Sequence, residues 1–234
     1  MTKKIDAYTS YLAVNILKTL KNTMDYKTLS HHTGLPVSTL TRYVTNKTLP
    51  RGKRTLDLVD KLLKIVNVYH MVQQRLHADS DGLDVSNVVS ESYLVELMAA
   101  QMLREFAGSR IDCILAYDRA GLILATAFGL STTKRVYYMS NTETSSTGKW
   151  EEIKFRNAGS RVISRIYVPV DVLRSHLLLT VGILDEYVPV KEVLGKISEF
   201  KGDFVGIVAV AASKEFLKSV KPYQFGKLVS FAHF

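Results

Sequence analysis

Between residues 112 and 212, short runs rich in Val, Ile and Leu recur with amphipathic segments between them: "DCILAY", "RVYYMS", "RVISRIYVPV", "HLLLTVGIL" and "FVGIVAVAA". No other feature constrains the fold as much. Most of these runs are apolar on both parities, which suits strands buried on both faces. "LILATAFGL" and "PVKEVLGKISEF" read as helices among them, and "ESYLVELMAAQMLREFAG" reads as a helix that Gly108 ends. Strands alternating with helices predict an α/β fold, a mostly parallel sheet flanked by helices.

The first third has a different texture. "IDAYTSYLAVNILKTLKN" places Ile5, Leu12, Ile16, Leu17 and Leu20 at helical spacing, and "RTLDLVDKLLKIVNVYHMVQQRL" carries an apolar stripe for one long helix or two in series. Charge divides at the same place. Residues 1–77 hold thirteen Lys and Arg against four Asp and Glu, whereas the rest of the chain holds eighteen of each, so the whole net charge of +9 lies at the front. Such asymmetry predicts a polyanion-binding module joined to a neutral one. The expected domains are an all-helical 1–77, a polar linker 78–87 and an α/β domain 88–234. The end of that linker, "DGLDVSN", also suits a short paired edge segment.

Within the basic third, "MDYKTLSHHTGLPVSTLTRYVTNK" reads as two short helices around a turn at Gly34, with Asp25 capping the first and Pro36 opening the second. Ser30 is small enough for a helix crossing. Leu29, Leu35, Val37, Leu40 and Tyr43 are the anchors. This is the pattern of a helix-turn-helix for double-stranded DNA. Its second helix then offers Ser38, Thr39, Thr41, Arg42 and Thr45 to base edges and nearby phosphates. Lys47, Arg51, Lys53 and Arg54 follow as phosphate contacts. A lone helix-turn-helix reads few base pairs, so a homodimer is expected, with the stripe from Leu56 to Leu76 either its seam or packed on the chain's own second domain.

Several classes are not expected. The sequence has no run of about 18 uncharged apolar residues and no apolar leader, so neither a membrane partner nor export is expected and the location reads as cytoplasmic. The single cysteine, Cys113, sits in an apolar run and reads as a buried thiol. His31 and His32 are adjacent, and His70 and His77 lack ligand partners at useful spacing, so no metal or cofactor is assigned.

"DCILAYDRAGLILATAFGL" resembles the first strand, pyrophosphate loop and helix of type I phosphoribosyltransferases, with Asp118, Arg119, Ala120 and Gly121 at the loop positions. The polar stretch 141–150 stands where that family has its flexible hood, and "HLLLTVGILDEYVPVKEVL" where it has the phosphoribosyl pyrophosphate signature. The resemblance covers roughly 88–215, and with "TGLPVSTLTRYV" and "RIYVP" the chain is similar to archaeal transcription regulators that fuse a helix-turn-helix to such a domain. The family signature has two acidic residues for the ribose hydroxyls and then a Thr/Gly loop for the 5′-phosphate at a helix N-terminus. If the strand ends at Leu179, the acidic positions fall on Thr180 and Val181, and Asp185, Glu186 and Val188 occupy the phosphate positions. Carboxylates facing a phosphate dianion cost several kcal/mol at an effective dielectric of about 20. If Asp185 and Glu186 are instead the ribose pair, the loop becomes Tyr187-Val188-Pro189-Val190, without glycine. The first register is preferred because Pro189 then starts the helix.

The resemblance so amended implies a DNA-binding regulator. Its transferase-like domain is expected to be catalytically degenerate, not an enzyme, and to serve either as a nucleotide or nucleobase effector pocket or as a dimerisation scaffold. Asp118, Arg119, Ala120, Gly121, Asp185 and Glu186 are the candidate ligand contacts, with Tyr137, Tyr138, Arg161 and Arg165 as further cleft candidates. The alternative is an active phosphoribosyltransferase of purine or pyrimidine salvage with a nucleic-acid-binding appendage.

Overall fold

Helix α1 (Ala7–Lys21) buries Leu12, Ala13, Ile16, Leu17 and Leu20 along one side, the stripe expected from their spacing. The computed structural model from which these positions are read describes residues 7–79, 82–142, 148–156, 162–219 and 226–234, so Ile5 and Arg161 lie outside it. Helix α2 (Tyr26–Thr33) starts where the Asp25 carboxylate accepts from the Thr28 N–H at 2.7 Å and stops at Gly34, which is left-handed at φ 66°. Helix α3 (Val37–Val44) follows Pro36. The turn is pinned by side chains: Ser30 Oγ donates to the Leu35 carbonyl at 2.7 Å, and the Leu35 N–H donates to Thr33 Oγ1 at 3.3 Å. Leu29, Leu40 and Tyr43 are buried beneath it, whereas Val37 is exposed and anchors nothing.

The apolar stripe beyond Lys53 forms two helices in series, α4 (Lys53–Ile65) and α5 (Val68–Gln73). They part at Asn67, whose side chain caps α5 by accepting from the His70 N–H. The stripe packs within its own chain: α4 on α1, α2 and the helix Ser92–Glu105, and α5 on that helix and the strand Lys227–His233, so part of it lies on the second domain as the alternative had it. Where a linker is expected, β1 (His77–Asp79) and β2 (Gly82–Asp84) pair antiparallel and α6 (Ser86–Val89) follows, so the edge-segment reading holds for that stretch.

Helix α7 (Ser92–Glu105) leads into β3 (Cys113–Ala116), α8 (Arg119–Thr132) and β4 (Arg135–Tyr138). An antiparallel ribbon of β5 (Trp150–Arg156) and β6 (Ile163–Pro169) intervenes, then α9 (Val170–Leu173), β7 (His176–Leu184), α10 (Val190–Glu199), β8 (Asp203–Ala212), α11 (Lys214–Ser219) and β9 (Lys227–His233). The main sheet has the order β4-β3-β7-β8-β9, and every neighbouring pair is parallel. This is the expected α/β class. Alternate strand residues serve opposite faces. Ile114, Leu178 and Val208 join the core beneath α1, α7 and α8, while Leu115, Leu179 and Ile207 join the core beneath α9, α10 and the ribbon.

The N-terminal helices share the first of these cores. Asn15 donates to Glu96 at 2.9 Å, Gln73 and His233 exchange two hydrogen bonds, and the Tyr69 and Phe231 rings stack at 5.6 Å. Cys113 is buried, and burial pushes its thiol up to about 11.

Candidate functional site

The strand order 2-1-3-4-5 reverses direction between β3 and β7, and ligands of open parallel sheets bind outside the strand ends at such a reversal. Both candidate acidic stretches lie there, because Asp118 follows β3 and Asp185 follows β7. Asp118 is the N-cap of α8. Its Oδ1 accepts from the Gly121 N–H at 2.6 Å, and its two oxygens accept from the Gly182 N–H of β7 at 3.0 and 2.9 Å. Thr180 Oγ1 donates to the Gly121 carbonyl at 3.0 Å. The approach of α8 to β7 is so close that a Cβ at Gly121 would stand 2.5 Å from the Thr180 oxygen, so only glycine fits.

The geometry differs from the sequence expectation in two respects. Arg119, Ala120 and Gly121 are not loop; they form the first turn of α8, because the Asp118 cap nucleates the helix directly after the strand. Strand β7 does not end at Leu179 but runs to Leu184, paired along its length with β8, and Thr180 and Val181 are buried within it. The preferred register therefore fails, since neither residue is free to meet a ribose. Asp185 and Glu186 come directly after the strand instead, and Pro189 is the residue before α10 in either case.

Asp185 is half-buried and accepts from the Tyr187 N–H at 2.9 Å. Burial, reinforced by the charge of Asp118, raises its carboxyl above the ordinary 3.8. The phenol of Tyr117 is also pushed up by burial and then by Asp118 and Asp185, so these three groups converge. Arg119 and Glu186 are exposed at the edge of this cluster. A raised carboxyl favours the fold fully only below its unfolded value and loses that contribution as pH rises through the folded one. Asp185→Asn, which keeps an acceptor for Tyr187, should therefore gain stability relative to the parent as pH rises from about 4 to about 7; urea unfolding across that range measures the gain. A parent–variant difference that stays flat with pH would refute the assignment.

Of the further cleft candidates, Tyr137 is half-buried against the α10-side core and Tyr138 is exposed. Arg165 pairs with Glu152 on the ribbon at 3.3 Å. Of the stretch expected to be the hood, residues 143–147 lie outside the described residues. The sequence reading missed Tyr117 and Gly182, and gave Thr180 a ribose-facing role where it instead ties β7 to α8. Gly182 carried a usable signal, since a glycine inside an apolar strand marks a close backbone approach.

The second candidate surface is α3 together with the basic segment leading into α4. Ser38, Arg42 and Thr45 are exposed, whereas Thr39 and Thr41 are half-buried and Thr41 Oγ1 donates to the Val37 carbonyl at 2.9 Å. Lys47, Arg51, Lys53 and Arg54 are all exposed, and none of them, nor Arg42, is ion-paired among the described residues. Lys53 and Arg54 occupy the first turn of α4, where positive charge opposes the helix dipole by about 0.3–1 kcal/mol each. Lys61 ties α4 to the preceding turn by donating to the Thr33 carbonyl at 2.6 Å. Among the described residues no His, Cys, Asp or Glu group is placed to share a metal ion, and no helix is long and apolar enough to cross a membrane.

No protein-family model matches the chain, and no curated protein matches it in sequence. Solved structures do match in fold. Adenine phosphoribosyltransferase from Thermoanaerobacter pseudethanolicus superposes with a TM-score of 0.61 at 8% identity, over 71% of this chain and 99% of that one. The enzyme from Leishmania donovani gives 0.62 at 9% identity, over 73% and 81%. That from Trypanosoma brucei, solved with AMP, pyrophosphate and ribose-5-phosphate, gives 0.57 at 12% identity, over 73% and 81%. The chain thus has a phosphoribosyltransferase-like fold. These structures are of enzymes, and that overturns the expectation of a degenerate, non-enzymatic domain. The physical argument for lost catalysis took in both registers: the preferred one, with the strand ending at Leu179, fails because β7 continues to Leu184, and the other leaves Tyr187-Val188-Pro189-Val190, without glycine, after Asp185 and Glu186.

Proposed function

We propose that the protein is a DNA-binding transcription regulator whose phosphoribosyltransferase-fold domain takes a phosphoribosyl compound, nucleotide or nucleobase at the β3/β7 reversal. It would act in the cytoplasm as a homodimer. The observation that carries the reading is the exposed surface of Ser38, Arg42, Thr45, Lys47, Arg51, Lys53 and Arg54, whose cations have no ion-pair partner among the described residues, set on α3 and the start of α4 around a side-chain-pinned turn. This is the chemistry of a helix-turn-helix: short polar groups and one arginine for base edges, free cations for phosphates. The dipole-opposing cations of α4 favour the same reading, because a docked phosphate offsets their cost. Two copies would place two recognition helices on a two-fold site. Fluorescence anisotropy with a labelled duplex at low salt tests it: binding that weakens steeply with salt is expected, and no binding at low salt ends the reading.

A second reading, an active phosphoribosyltransferase with a nucleic-acid-binding appendage, is favoured by the likeness to adenine phosphoribosyltransferases over nearly their full length. The comparisons bear more directly on this reading than on DNA binding. On this reading Asp185 and Glu186, immediately after β7, would be the acidic pair for the ribose hydroxyls, the register not preferred from the sequence. Incubation with phosphoribosyl pyrophosphate and each nucleobase decides it: base-dependent pyrophosphate release supports transfer, and none with any base ends it. The two readings are compatible in one chain.

A further inference from the structure

At the other end of β3 from the reversal, a cavity of about 570 Å³ opens between α1, α4, α7 and α8. That volume is within the range of about 300–1,000 Å³ usual for small-molecule sites. Its walls are apolar and supplied by several of the surrounding helices: Val59 and Leu63 from α4, Leu103 and Phe106 at the end of α7, Phe128 from α8. Val59, Leu63, Phe106 and Phe128 are buried with respect to the rest of the fold, so the wall is fixed. Two buried hydroxyls, Thr9 and Ser131, lie in the lining and spend their protons on the Ser131 and Ala127 carbonyls, which leaves their oxygen lone pairs as acceptors.

The rim has the opposite character. Arg104, Arg110 and Lys134 stand on it against a single carboxylate, Asp60. That carboxylate is already shared, with Lys64 at 2.8 Å and Arg104 at only 3.9 Å. Arg110 lies 3.5 Å from Asp112, which is itself held by His176 at 2.7 Å. Lys134 has no ion-pair partner among the described residues. An apolar chamber under a net-positive rim fits a guest with an apolar body and one anionic group.

We infer that this cavity is a binding site for a small organic anion with an aromatic or aliphatic body, distinct from the Asp118–Asp185 cluster. Its place implies regulation. Helix α4 lines the cavity with Leu56, Val59, Asp60 and Leu63, holds the α2–α3 turn through Lys61, and begins in the basic flank at Lys53 and Arg54. A guest that displaces α4 therefore displaces the surface proposed for DNA; this second step rests on the DNA-binding reading.

The probe is anilinonaphthalene sulfonate, an apolar ring system with one anionic group, titrated into the full chain and read by fluorescence. Saturable binding of one probe per chain is expected. Ala107→Trp, at the exposed rim, should abolish it. Lys134→Gln with Arg110→Gln, both on exposed side chains, should weaken it at least fivefold. Parent-like titration by both variants would overturn the site, as would probe binding that falls with rising protein concentration, which would assign the cavity to a second copy of the chain. Coupling is read separately, as a change of at least threefold in duplex affinity with the probe bound. Unchanged affinity removes the regulatory step. If no duplex binds with or without the probe, the regulatory step falls along with the DNA-binding reading, and the site stands on the fluorescence alone.

Discussion

If the α3 flank faces DNA as proposed, exchanging Lys47, Arg51, Lys53 and Arg54 together for glutamine should lower duplex affinity by at least about 100-fold at low salt and flatten its dependence on salt. The magnitude follows from counterion release. Each phosphate contact contributes about 0.9 to the slope of log affinity against log salt concentration, so the exchange removes about 3–4 from that slope per chain. All four side chains are exposed and none is ion-paired among the described residues, so the fold loses nothing in the exchange. Removing Lys53 and Arg54 also relieves the α4 dipole, and the variant should unfold at an equal or slightly higher urea concentration. Weakened binding at undiminished stability separates a DNA-facing surface from a damaged fold. The companion pair Ser38→Ala and Arg42→Ala should behave differently on the same reading. It leaves most of the salt slope in place and costs about 1–3 kcal/mol of discrimination for each base edge no longer read, seen as convergence of affinities for different duplexes. If the four-fold variant keeps both affinity and slope, the α3 flank does not face DNA.

The exposure of these side chains and the helix ends around them were legible from the sequence because they depend on local rules alone. Asp25, Gly34 and Pro36 sit where helix boundaries need them, and an exposed lysine needs no partner to be recognised. The strand cores were legible for a similar reason: "CILA" and "HLLLTVGIL" are apolar on both parities, and only a covered parallel sheet suits that. Strands β5 and β9 were not. "WEEIKFR" puts charge at most positions because its ribbon is half-open, and "KLVSFAH" is an edge strand whose pairing with β8 is wholly non-local. The reversal-point site was legible in its residues and not in its geometry. Asp118 could be picked out as an acid after a strand, but its tie to Gly182 spans 64 residues and no spacing rule reaches that far. The run "HLLLTVGIL" has the bounds of β7, and only the preferred motif register, which stopped the strand at Leu179, was wrong: Thr180 lies inside the strand with its hydroxyl donated to the Gly121 carbonyl.

That tie makes Asp118→Ala the largest single-residue stability effect expected outside the apolar cores. The carboxylate does two jobs. It caps α8 through Gly121, a contribution of about 0.5–2 kcal/mol, and it satisfies the buried Gly182 N–H, which left alone costs about 1–3 kcal/mol. The two share one side chain and are not strictly additive, so a net loss of about 2–4 kcal/mol is expected. For a chain of this size, that lowers the melting temperature by about 5–15 °C. One effect opposes it. Asp118 raises the carboxyl of Asp185, so its removal relieves part of the penalty that Asp185 carries at neutral pH. Asp118→Asn should fall between parent and alanine, since the amide keeps one oxygen for Gly121 but turns its nitrogen, a donor, toward the Gly182 N–H. Urea unfolding of the three proteins gives the order, and an NMR titration of Asp185 gives the electrostatic part: its pKa must fall in Asp118→Ala. An alanine variant as stable as the parent would mean that α8 is not locked to β7 through this carboxylate, and the floor of the candidate ligand site would then have to be built from other residues.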